Sequence, residues 1–281
     1  MQTLLFNHDD VQKLLPMKEC VALMETTFRL LAQNRFTQPL RQVVKLPPVP
    51  SAASEKISIS ASSAKEALAS VVPSSTQQLS PTNVLANMPA HVTLPVEPPR
   101  SYMSSKIITV FPQNRSKFGL ESHQGVVMLF NGSNGQILSI SDAAEITALR
   151  TAAVSAVAMK YLLHISEEDQ AVVKVAILGA GTQALQHTHA ILAVLLAQQD
   201  EADLNKKITL KRSKQRIEFH YWNRTHRHAE ELAREMHTHY NKSLNHHGNF
   251  AHATLVFSAK ETVQEAVKDA RVIVTATSAT T

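Results

Sequence analysis

The residues best suited to chemistry lie in "GAGTQA", residues 179–184. Gly179 permits a tight turn after a strand. Gly181 lets the backbone come close to a pyrophosphate, and Ala184 is small enough for close helix–strand packing. Ala180, Thr182 and Gln183 fill the remaining positions of a G-x-G-x-x-A pattern. The N–H groups of a helix beginning here would be unpaired and would carry partial positive charge, which suits phosphate. An ordinary strand-to-helix turn is the alternative reading. The context favours a dinucleotide site: the apolar run "VVKVAIL" precedes the turn, an apolar helix follows it, and a second strand comes later.

The end of that second strand selects between dinucleotides. An acidic residue there binds the ribose 2′-hydroxyl of NAD and repels a 2′-phosphate. In "HYWNRTHRH" the position is held by Asn223, followed by Arg224 and Thr225. A guanidinium presents a planar fork of donors to phosphate, and Thr225 can add a hydroxyl while capping the next helix. The expected cofactor is NADP(H). Asn223 lies 44 residues after Gly179, against a usual spacing of about 20. The excess falls on a basic insertion in the connection at the opposite edge of the sheet, away from the phosphates.

These residues need a frame, and the chain's periodicity supplies one. Residues 9–34 read as a helix with Val21, Met24, Phe28 and Leu31 on one face. "RQVVKL" (41–46) reads as a strand. Residues 47–83 are rich in Ser, Pro and Ala, have few large apolar residues, and are expected to be a disordered insertion. "KIITVF" (106–111), "GVVMLF" (125–130) and "QILSIS" (136–141) read as strands, with "NGSNGQ" as a turn and a helix from Asp142 to about Leu163. Strands and helices then alternate to the last strand, "RVIVTAT" (271–277). That order predicts an α/β fold: a Rossmann-type parallel-sheet domain over 166–281, preceded by an α+β domain over 1–165. A doubly wound domain normally has six strands. About four are legible, so the sequence reads as truncated at its C-terminus.

Composition narrows the function. The net charge is +5, but residues 205–216 carry six basic and no acidic residues; without them the chain nets −1. The basic character is local, which argues against a nucleic-acid partner. The single cysteine, Cys20, allows no internal disulfide and reads as a small buried hydrophobe. No signal peptide or membrane-length apolar run is visible, so no membrane partner is expected and a cytoplasmic location is favoured. His187 and His189 are two apart on a helix and cannot share a face, so no metal site is expected; the histidines read as solvated.

Several long motifs occur in order: "SHQGVVMLFNGSNGQILSISDAAEITALRTAAVSAVAMKYL", "AILGAGTQA", "YWNRT" and "VQEAVKDARVIVTATSAT". With them the chain resembles the ornithine cyclodeaminase and mu-crystallin family over 1–46 and 84–281, leaving out both insertions. "RTAAVSA" and "WNRT" are most similar to the NADPH-dependent ketimine reductases within it, which also bind thyroid hormone. The resemblance implies a homodimer and a substrate-binding first domain. It implies that Arg41, Lys106 and Arg150 hold the carboxylate of a small imine or an iodothyronine, with Lys106 also taking part in proton transfer. It further implies that Met88 and Pro89 lie near the substrate and that Thr275, Ala276 and Thr277 line the cofactor. Alone, Arg41 and Arg150 would read as structural ion pairs; the motifs around them change that reading.

Overall fold

The computed structural model describes residues 2–46, 83–163, 172–197, 215–246 and 253–277. The chain opens with β1 (Leu4–Phe6), α1 (His8–Leu14), α2 (Met17–Ala32), β2 (Phe36–Thr37) and β3 (Gln42–Leu46). Then come β4 (Asn83–Leu94), β5 (Arg100–Val110), α3 (Asn114–Phe118), β6 (His123–Asn131), β7 (Ile137–Asp142) and α4 (Ala143–Leu162). They are followed by β8 (Val172–Leu178), α5 (Thr182–Ala197), β9 (Gln215–Trp222), α6 (His226–His246), β10 (Ala253–Ala259), α7 (Val263–Val267) and β11 (Val272–Thr275). Two compact units emerge. The first comprises Met1–Leu4, Gln38–His91 and Ser101–Ala144; the second comprises Leu5–Thr37, Val92–Arg100 and Glu145–Thr281.

The second unit contains a parallel sheet in the order β10-β9-β8-β11. Numbered along the chain, this is 3-2-1-4, the order of a Rossmann-type half-sheet plus its first strand across the reversal. Val173, Val175 and Ile177 of β8 and Ile217, Phe219 and Tyr221 of β9 are buried, and they share one core with α4, α5 and α6. The alternation of these positions places all six on one face of the sheet. Val11 of α1 and Cys20 and Val21 of α2 join the same core. In α4, Ala152, Ala153 and Ala156 are fully buried. Across the helices, Glu25 accepts hydrogen bonds from Arg29, Lys160 and Tyr161.

In the first unit the long strands run β7-β6-β5-β4, with β3 also on β4. The β3–β4, β5–β6 and β6–β7 pairs are antiparallel. The "NGSNGQ" turn joins β6 to β7; Asn131 accepts there from the Gly135 backbone and, through its side chain, from Ser133.

Four expectations are corrected. Residues 9–34 form two helices, because Pro16 lacks an N–H and pushes Leu15 out of helical geometry. Within α2, Val21 is buried but Phe28 and Leu31 are 43% and 48% exposed, while Cys20 and Leu30 turn inward. The twelve-residue strand β4 was not expected; Pro89 argues against a strand, but it lies beyond Asn87, the last β4 residue paired with β3. His187 is buried rather than solvated. Of the expected insertion at 47–83, Asn83 starts β4 and the rest lies outside the described residues, as do the 165/166 boundary and nearly all of the basic segment. Among the described residues, no helix is long and apolar enough to cross a membrane.

Candidate functional site

The ends of three parallel strands converge at the switch point between β8 and β11. The Gly179 N–H donates to the Trp222 carbonyl at the end of β9 (2.7 Å), and the Ala276 N–H donates to the Leu178 carbonyl (2.7 Å). Gly179 has φ +123°, and a Cβ there would lie 2.5 Å from the Ala276 oxygen and 3.2 Å from the Thr277 nitrogen. A side chain at 179 is therefore excluded twice, by backbone conformation and by contact. Gly181 is the opposite case: a Cβ would meet nothing within 4 Å. Its openness leaves room for a ligand to reach the backbone.

Thr182 opens α5, and Leu185 makes the first helical bond back to the Gly181 carbonyl (3.1 Å). The N–H groups of the preceding residues lack intrahelical partners and form an anion-binding end. Gln183 Oε1 is buried without a hydrogen-bond partner among the described residues. A close-packed first glycine, an open second one and this amide oxygen fit a dinucleotide at the turn. At the end of β9, Asn223 Nδ2 donates to the Thr225 carbonyl (3.0 Å), holding the loop in which Arg224 and Thr225 are exposed. The Lys260 N–H donates to the Tyr221 carbonyl (2.8 Å), which ties the loop after β10 to the same end.

A groove of about 630 Å³ runs beside this cradle, lined by Thr151 and Ser155 of α4, Gln183 and His187 of α5, and Thr275 and Ala276. Arg150 directly precedes Thr151 and is exposed. Arg41 and Lys106 belong to the first unit. There Ser105 donates to Asn87 (2.6 Å) and His91 bonds Ser101 (2.8 Å). Both bonds fit one antiparallel register, which sets Ala86 across from Lys106. Val43 lies beyond Ala86 and Val127 beyond Lys106. Met88, two residues from Ala86, shares this face with Lys106. Arg41 sits one residue before the Gln42–Asn87 pair, at the Met88 end of the row.

The sequence model of the ornithine cyclodeaminase/mu-crystallin family matches residues 62–217, more than half of the chain. The chain belongs to that family. It is 33% identical to the ketimine reductase mu-crystallin of Macropus fuliginosus over 178 residues, covering 63% of this chain and 44% of that protein. It is 37% identical to a Δ1-pyrroline-2-carboxylate reductase of Bacillus cereus over 89 residues, 32% of this chain and 26% of the relative. The fold is similar to the Thermococcus litoralis Δ1-pyrroline-2-carboxylate reductase solved with NADH and L-proline (TM-score 0.64, 22% identity), covering 99% of this chain and 62% of that one. The chain thus spans less than two thirds of the length of these relatives.

Within this member of the family, three groove-lining residues, Thr151, Ser155 and His187, carry no motif that marks them as site residues. His187 Nε2 bonds Ser155 Oγ (3.0 Å) and its Nδ1 bonds the Gln183 carbonyl (2.6 Å). Burial lowers the His187 pKa, only partly opposed by the Gln183 bond, which favours a neutral ring. The signal was present: 183 and 187 are four apart on one helix and share a face. His189 instead bonds Tyr240 (2.8 Å), and burial, aided by His239, lowers its pKa to about 4. The two histidines serve opposite neighbours of α5.

Proposed function

We propose that this chain binds NADP(H) at the 179–183 turn and takes part in the reduction of cyclic ketimines. The observation that carries the reading is the convergence of three loops on Gly179, with Asn223, Arg224 and Thr225 where an NAD-binding chain would carry an acid. When bound, the nicotinamide supplies a hydride. The chain's own residues would bind and orient the substrate: Arg41, Lys106 and Arg150 are assigned to its carboxylate. Reducing a C=N bond also adds a proton to nitrogen, and the Lys106 ammonium is the assigned donor. Thr275, Ala276 and Thr277 are assigned to the cofactor's nicotinamide half, because the Ala276–Thr277 backbone packs on Gly179. A homodimer is proposed from the family resemblance, supported by Val43 and Val44, which are 48% and 55% exposed on β3.

Two titrations test this. Arg224→Ala should weaken NADPH binding about tenfold, near 1.4 kcal/mol, and leave NADH nearly unchanged. Equal losses would remove Arg224 from the 2′-phosphate. NADPH oxidation with a cyclic ketimine carboxylate should then show turnover. NADPH binding without turnover would favour a non-catalytic holder of carboxylate-bearing ligands such as an iodothyronine.

A further inference from the structure

The loop carrying Asn223, Arg224 and Thr225 continues into His226, the first residue of α6. His226 Nε2 lies 3.3 Å from a carboxylate oxygen of Glu261 and 3.7 Å from one of Glu230. Glu261 follows Lys260, whose N–H is tied to the end of β9, so this carboxylate stands at the mouth of the same loop. Its backbone N–H donates to Glu265 (3.2 Å). His226 Nδ1 is buried with no hydrogen-bond partner among the described residues. The ring proton is therefore best placed on Nε2, where it faces both carboxylates.

These contacts put two negative charges beside a loop proposed to hold a dianionic phosphate. A carboxylate there favours a ribose hydroxyl and repels a 2′-phosphate. It would also compete for Arg224. Arg227, the next residue, is already engaged with Glu231 (2.8 Å). We infer that His226 is a second determinant of cofactor choice: by holding Glu230 and Glu261, it keeps their charge from opposing the 2′-phosphate. The inference rests on the NADP(H) reading and assigns His226 a positioning role, with no contact to the cofactor required.

The test uses the full chain and measures NADPH and NADH dissociation constants by fluorescence titration. His226→Ala should raise the NADPH constant about fivefold and leave NADH unchanged or tighter, an effect of the size expected for exposed ion pairs. His226→Lys should keep the wild-type ratio, because an N–H donor still reaches the carboxylates. Adding Glu261→Gln to His226→Ala should restore most of the NADPH affinity; a merely structural role for the ring would not give this rescue. An unchanged ratio in His226→Ala, or no rescue by Glu261→Gln, would overturn the inference. Arg224→Ala, measured alongside, separates the two failures. If Arg224→Ala discriminates and His226→Ala does not, only the His226 role falls. If neither does, or neither dinucleotide binds, the NADP(H) reading falls and the inference with it.

Discussion

The two sheets of this chain are built on different terms. In the parallel sheet, Val175, Ile177, Phe219 and Tyr221 are all fully buried beneath helices. In the antiparallel strands β3–β7, only Ala86 and Ile108 are buried to a comparable degree, while Leu85, Val126 and Ile137 are more than one third exposed. The apolar runs of β8 and β9 are each followed along the chain by a helix, α5 and α6, that shares their core. Strands β6 and β7 follow one another through a tight turn, with no helix between them. The proposed cofactor cradle therefore stands on a self-sufficient core, and the Lys106 face stands on an open one.

The sharpest test of that contrast sets one deletion against another. Phe219→Ala should cost about 3–5 kcal/mol in urea unfolding, whereas Val44→Ala should stay within about 0.5 kcal/mol. Comparable losses would end the contrast. Next in size, Gly179→Ala forces a Cβ against the Ala276 carbonyl at positive φ and should cost about 1–3 kcal/mol, together with NADPH affinity. A stable variant that still binds NADPH would detach the cradle from its packing.

Acid probes the second unit more gently. Burial raises the Glu25 carboxyl, but bonds from Tyr161, Lys160 and Arg29 outweigh it and bring its pKa to about 2. A group lowered on folding stabilises above its ordinary pKa and loses that contribution as pH falls. Stability should thus decline between pH 4.5 and about 2, and Glu25→Gln should flatten this slope while costing about 1.5 kcal/mol at neutral pH. The smallest effect belongs to His189, held neutral by burial. Its contribution is present above 6.5 and lost as pH falls toward about 4, so His189→Gln should flatten the unfolding profile in that window.

The same contrast explains what could be read from residues alone. "VVKVAIL", "GAGTQA" and the helix after them are contiguous, so their relation needs no tertiary information. Asn223 was found despite its distance because strand order fixes which loop lies beside the turn. Strand β4 was hidden because Pro89 and the polar residues around it give no β signal; its pairing comes from β3 and β5, which sequence periodicity does not connect. Pro16 announced a break that the periodicity of residues 9–34 masked. The burial of His187 depends on α4 lying against α5, a fact carried by neither helix alone. Arg150 and Lys106 were reached through motif resemblance, and their relation to the cradle rests on that resemblance.

The alanines of α4 have a consequence for how this protein can change. Ala152, Ala153 and Ala156 are fully buried, so a longer side chain at any of them must displace what packs against it. A larger residue at any of them would lift the helix, and Arg150 would travel with it without itself being altered. Drift in this arginine's aim is therefore written in positions that never meet a ligand. A survey of variants restricted to charged and polar side chains would overlook the substitutions most able to misplace it.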